Sequence, residues 1–265
     1  MYSYNQFVLN NGLRVIHLED KTRTTIVLNT LYNVGARDES ADRTGFAHLF
    51  EHLMFSGSEN VPVFDKEVEE AAGQNNAFTN NEITNYYLVM PNENVETAFW
   101  LESDRMLALN INEKSLSVQQ GVVVEEFKQR CFNAPFGLLW HHVRSLVYKT
   151  SPYQWPTIGL NFHHVEEAKI EDVRSFYDLF YCPQNAIISV VGDITLEEAE
   201  QALNAFQGKL QVALDQTRSH APAPTKVAKP PKPVGVLPHV DTGVQRAVLD
   251  KVFAQLTNYP EGFTV

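Results

Sequence analysis

The stretch TGFAHLFEHLMFSG sets two histidines, His48 and His52, four residues apart with Glu51 between them and Ala47, Leu49, Phe50, Leu53, Met54 and Phe55 around them. Polar side chains in so apolar a run need partners once buried, and a helix is the local structure that turns all three the same way. At about 100° per residue, His48 and His52 point about 40° apart, and Glu51 lies about 60° to the other side of His48. Two imidazoles one turn apart can hold a single Zn2+ at about 2.0–2.1 Å each, with the carboxylate in reach of a water on the same ion. The pattern predicts a helix from Gly45 to about Phe55, N-capped by Thr44 and stopped at Ser56-Gly57.

A catalytic zinc commonly takes three protein ligands and leaves one position for water. VVVEEFKQR offers the third: on a helix that buries Val122, Val123 and Phe127, one of Glu125 and Glu126 turns inward, and the pattern alone does not choose between them. His141-His142 and His163-His164 are adjacent pairs. Neighbours on a helix point about 100° apart and cannot share one ion, so these read as surface residues or as outer support. Cys131 and Cys182 lack a CxxC spacing and read as buried free thiols. No glycine-rich phosphate loop, G-x-S-x-G elbow or Cys-His pair stands in the sequence, which leaves nucleotide hydrolysis and serine or cysteine chemistry without support.

Around these motifs the chain alternates irregularly between strand and helix patterns. FVLNNGLRVIHLED reads as a hairpin about Asn-Asn-Gly, TTIVLNTLYNVG as a buried strand, FDKEVEEAAGQ as a short acidic helix and NAFTNNEITNYYLVMP as an irregular stretch feeding a strand. Helices are expected over about 95–109, 113–130, through GLLWHHVRSLVYK and over 171–181, with Tyr86-Tyr87 and Trp100 packed in the core or against the sheet. NAIISVVGDI reads as a buried strand, and LEEAEQALNAFQG as a helix ended by Gly208. This order predicts an α+β fold, a layered antiparallel or mixed β-sheet packed against helices, over residues 1–215. APAPTKVAKPPKPVGVLP then marks a Pro/Lys-rich linker over 216–240, and 241–265 reads as the tail of a truncated or fused second half.

The formal net charge of −11, with no basic cluster, argues against a nucleic-acid partner. No run of 18 apolar residues is present and MYSYNQFVLNNG lacks a basic-then-apolar plan, so no membrane partner and a cytoplasmic location are expected.

HxxEH followed about 75 residues later by a glutamate, with NGLRVI, YNVGARDE, NAFTNNEITNYYLVMP, VVVEEF and NAIISVVGDI in order, resembles the pitrilysin family of zinc metallopeptidases from about Phe7 to about Gly208. That family includes insulin-degrading enzyme and the mitochondrial processing peptidases. The resemblance implies a zinc-dependent endopeptidase acting on unstructured peptides, with one zinc per chain held by His48, His52 and Glu126 and with Glu51 as general base. It also implies that Asn76 and Ala77 lie on an edge that receives the peptide substrate, and that Gln119 and Glu125 stand behind the metal. Many relatives carry a glutamate at the position of Gln119. Family members usually have two similar halves, so a homo-oligomer or a separate C-terminal-half partner is expected, the alternative being a non-catalytic peptide-binding subunit.

Overall fold

The structure, a computed structural model, describes residues 3–205. β1 (Asn5–Val8) and β2 (Arg14–Glu19) form the expected hairpin, turning through Gly12 at φ +88°. β3 (Thr25–Tyr32), α1 (Phe46–Leu53), α2 (Phe64–Glu70), β4 (Gln74–Thr79) and β5 (Thr84–Pro91) follow. Then come α3 (Val95–Ala108), α4 (Glu113–Cys131), α5 (Leu139–Val147), the short α6 (His163–Glu166) and α7 (Ile170–Phe180). β6 (Ala186–Gly192) returns to the sheet, and residues 196–205 are helical. The linker expected over 216–240, the tail over 241–265, the helix end at Gly208 and the boundary at 215 lie outside the described residues.

The strands form one sheet in the order β1-β2-β6-β3-β5-β4. β2 and β6 are parallel and every other pair is antiparallel, so the sheet is mixed. Period-two patterning decides which face is covered. Ile26, Leu28 and Tyr32 of β3 are buried together with Tyr86, Leu88 and Met90 of β5 and Ile188 and Val190 of β6, while Val27, Leu31, Tyr87, Val89 and Val191 are only half-buried. α3 packs on β3 and β5, and α1 lies against β4, β5 and α4. This is the layered α+β arrangement expected, and it leaves β4 as an outer edge beside α1. No helix among the described residues is long and apolar enough to cross a membrane.

Several local expectations are corrected. The N-cap of α1 is Gly45, at φ +91°, not Thr44. The Thr44 hydroxyl instead accepts the Leu160 N–H at 2.7 Å and lies 2.9 Å from His164 Nδ1. The first N–H groups of α1 are taken by the buried Glu39 carboxylate, from Gly45 at 2.9 Å and Ala47 at 2.8 Å. Burial raises the Glu39 pKa to about 8 against the lowering effect of these hydrogen bonds, and because Glu39 comes from a preceding loop no local cap signal announces it. The stretch expected to be irregular is the β4–β5 hairpin, in which β4 is an outer edge strand with Gln74, Asn76 and Phe78 exposed, so it carries no apolar alternation to announce it. On α4, Val122 is exposed while Val123, Val124 and Phe127 are buried, because the helix is rotated by about one residue from the expected face. Cys131 is buried but Cys182 is half-buried, and both are free.

Tyr86 ties the layers together. Its ring is buried under α1 and its hydroxyl donates to the Phe50 carbonyl at 3.2 Å, so the sheet holds the helix that carries the histidines. The Arg105 guanidinium, paired with Glu102, is buried 4.6 Å from the Tyr86 ring centre and 4.8 Å from that of Phe64.

Candidate metal centre

His48 and His52 project from α1 with ring centres 4.9 Å apart and planes at 85°. α4 crosses beside them and delivers Glu126, whose Oε2 lies 3.5 Å from His48 Nε2 and 3.3 Å from His52 Nε2. The three ligand atoms all fall within 4.8 Å of one another, the one such group of histidine, cysteine and carboxylate atoms among the described residues. α4 is placed for this by Asn112, an N-cap whose side chain accepts from the N–H groups of Lys114 and Ser115.

The donor set suits zinc. Tetrahedral bonds of about 2.0–2.1 Å put neighbouring ligand atoms about 3.3 Å apart, and the two nitrogen–oxygen separations are 3.3 and 3.5 Å. A direct imidazolium–carboxylate bond would be shorter, about 2.7–2.9 Å. The far oxygen of Glu126 is held by Arg130 at 2.7 Å, one helical turn along, which aims Oε2 at the imidazoles and orients the carboxylate as outer partners of metal ligands do. His48 Nδ1 is buried without a hydrogen-bond partner among the described residues, so none of them turns this ring away from Glu126.

Electrostatics keep the donors in binding form. Burial lowers the His48 pKa to about 4, against the opposing charge of Glu126, so its imidazole is neutral at ordinary pH. Glu126 is held below the usual carboxylate range, foremost by its contact with His52, with the charges of His48 and Arg130 adding to it against the effect of burial. For the metal-free chain the His48 shift has a stability consequence. The unfolded imidazole titrates near 6.5 and the folded one near 4, so between these values the unfolded state binds more protons. Stability from this group is complete above about pH 6.5 and is lost as pH falls towards 4, by at most about 1.4 kcal/mol per pH unit. Thermal melts of the zinc-free chain at pH 7 and pH 5 should show this loss, and His48→Gln should flatten it. An unchanged slope in the variant would remove His48 as its source.

The other predicted residues fall in different places. Glu51 is half-buried on α1, and no hydrogen bond or ion pair from another described residue holds its carboxylate. The nearby Tyr181 phenol is pushed up by burial first, with the Glu51 charge adding to the shift. Gln119 donates to Ser56 Oγ at 3.0 Å and lines a cleft beside His52. Glu125 does not stand behind the metal position: it is exposed and pairs with Lys128 at 2.6 Å, because consecutive helix positions point about 100° apart. Asn76 and Ala77 lie on the edge strand β4, where the Asn76 side chain accepts the Ala77 N–H at 2.8 Å. Of the histidine pairs, His141 is buried with Nε2 3.0 Å from the Gly159 carbonyl, His163 pairs with Glu166 at the surface, and His164 supports Thr44. Sequence reasoning passed over Arg130, although an i,i+4 Glu–Arg spacing was there to be seen. It also passed over Glu39, whose role carries no local signal, and, although Tyr86 was expected to pack inside, its hydrogen bond to the Phe50 carbonyl of α1 was not foreseen.

Residues 14–158 match the family model for insulinase, peptidase family M16, and residues 168–252 match the model for the peptidase M16 inactive domain. The zinc protease PqqE of Helicobacter pylori is 32% identical over 198 residues, 74% of this chain and 44% of that protein. A probable mitochondrial-processing peptidase subunit beta of Arabidopsis thaliana is 24% identical, over 76% of this chain and 38% of that one. Among solved structures, a protease from Helicobacter pylori superposes with a TM-score of 0.75 at 31% identity, over 79% of this chain and 51% of that chain. Pitrilysin shares the fold, with a TM-score of 0.67 at 19% identity over 79% of this chain and 23% of that one. The chain thus spans about half or less of the length of these relatives. With the insulinase model matching more than half of the chain and a converged His48–His52–Glu126 group inside the fold its members share, the chain belongs to peptidase family M16, the insulinase or pitrilysin family of zinc proteases.

Proposed function

We propose that this chain is the zinc-binding, catalytic half of a metalloendopeptidase that hydrolyses unstructured peptides. The observation that carries the reading is the convergence of His48 Nε2, His52 Nε2 and Glu126 Oε2 at separations suited to one tetrahedral zinc. His48, His52 and Glu126 would hold the ion, and Arg130 would keep the Glu126 carboxylate in place. The chemistry that zinc supplies when bound is Lewis acidity, which polarises a scissile carbonyl and brings the pKa of water down towards about 7.

Glu51 takes the proton released as water adds to the carbonyl carbon and passes it to the amine nitrogen as the C–N bond breaks. Its carboxylate is free of competing ion pairs among the described residues, as a group that must both accept and donate a proton should be. The edge of β4 holds the peptide as an added strand, so main-chain hydrogen bonds give affinity without demanding one sequence. For this the Asn76 side chain releases the Ala77 N–H that it now occupies. The buried apolar residues Leu49, Phe50 and Leu53 keep the far side of α1 dry.

A non-catalytic peptide-binding subunit is the second reading, supported by the match of residues 168–252 to the model for the peptidase M16 inactive domain. A second copy or a separate C-terminal-half partner completes the substrate chamber in either case. One experiment separates the two. Zinc content and hydrolysis of a quenched fluorescent peptide are measured on the same purified sample, alone and with a chelator. About one zinc per chain with chelator-sensitive turnover is expected. One zinc without turnover, alone and after adding a C-terminal half in trans, favours the binding subunit, and a chain without zinc refutes both metal readings.

A further inference from the structure

We propose that Asp65 selects a basic side chain, lysine or arginine, at a peptide position flanking the scissile bond; this rests on the peptidase reading above and names its substrate class. Beside the metal position the surface opens into a cleft of about 390 Å³ lined by His52, Phe55, Asp65, Asn75, Asn76 and Gln119. One wall is the proposed ligand His52 and another is the edge strand β4, so a peptide laid on β4 with a carbonyl at the metal position drops a neighbouring side chain into this space.

The lining sets what that side chain can be. Asp65 is its one carboxylate, in the first turn of α2. Asn75 Nδ2 donates to Asp65 Oδ1 at 3.0 Å, which fixes the carboxylate and leaves Oδ2 without a hydrogen-bond partner among the described residues. No cation pairs with Asp65 among the described residues, and the adjacent Lys66 reaches instead to Glu70 at 3.5 Å. Glu67, Glu69 and Glu70 add to the negative field of α2.

Phe55, whose ring already lies 5.8 Å from the Arg105 guanidinium, adds an apolar wall for a methylene stem, while the amide oxygens of Asn75, Asn76 and Gln119 can accept further N–H groups. A long stem with a cationic tip satisfies every part of this lining. A glutamate would face Asp65, which no side-chain cation among the described residues neutralises, and a leucine would leave the carboxylate and amides without partners.

The test uses the zinc-loaded chain and a set of quenched peptides in which Lys, Arg, Leu or Glu is walked through one neutral sequence, with cleavage sites read by mass spectrometry. In parallel, fluorescence anisotropy measures binding of the same peptides to the Glu51→Gln variant. Lys and Arg peptides should be preferred over Leu roughly three- to tenfold, and over Glu by more. Asp65→Asn should erase the preference for Lys, and Asp65→Lys should turn it towards Glu.

An equal Lys preference in wild type and Asp65→Asn, a wild-type preference for Leu or Glu, or no binding of any peptide overturns the proposal. Zinc with selective binding but no cleavage would instead count against the peptidase reading and leave the role of Asp65 standing.

Discussion

Glu51→Gln leaves zinc bound and lowers peptide hydrolysis by roughly 10²–10⁴-fold. That is the range that a positioned general acid–base contributes. The side chain keeps its shape and stays half-buried on α1, so neither helix nor ligands are disturbed, but an amide cannot take a proton from water near neutral pH. Zinc content by atomic absorption and turnover of a quenched peptide, read on wild type and variant together, check both halves of the expectation. Persistent turnover, or loss of the metal along with activity, shows that Glu51 is not the base.

The second large effect separates two neighbouring glutamates. Glu126→Gln replaces an anionic ligand oxygen by a neutral amide, leaves the Arg130 guanidinium without its partner and removes the one carboxylate facing both imidazoles. Zinc affinity should fall by at least the 10–100-fold that loss of an outer partner alone typically costs. Glu125→Gln removes an exposed pair with Lys128 and should change affinity less than threefold, because exposed ion pairs are worth about 0–1 kcal/mol and this one does not touch the ligands. Competition with a chromogenic chelator gives both numbers. The reverse ranking would move the third ligand by one residue and overturn the geometry of α4.

How far the site could be read from sequence follows from the range of the interactions involved. His48, Glu51 and His52 were legible because a helix repeats every 3.6 residues and places all three on one side without help from any other element. The elements of the sheet were legible wherever apolar and polar residues alternate, as along β3. The β4–β5 hairpin was harder to read, since an edge strand needs no apolar alternation and its Asn-rich sequence resembles a loop. The choice between Glu125 and Glu126 could not come from pattern alone. It depends on the rotation of α4 about its axis, which is set by Val123, Val124 and Phe127 being buried while Val122 is not.

Thr44 shows the same limit at smaller scale. As a residue type just before a helix it is a good cap, yet the N–H groups of α1 go to Glu39, and its hydroxyl serves Leu160, more than a hundred residues away in sequence. Arg130 lies between the two cases: its spacing from Glu126 is local, but the pairing gains meaning only once Glu126 faces the histidines.

By itself the sequence determined the local periodicities: the helix that carries HLFEH, the alternating strands, the residue types able to bind zinc and move a proton, and the order of motifs that marks the family. The family resemblance pointed to Glu126, but only the tertiary structure brings its carboxylate within reach of both imidazoles, leaves β4 as an open edge beside them and places Asp65 on the lining of a cleft next to His52. The physical reason is that periodicity is a property of consecutive backbone dihedrals. Convergence of groups from α1, α2, β4 and α4 depends instead on how buried side chains of separate elements fill one core, and no stretch of sequence contains that by itself.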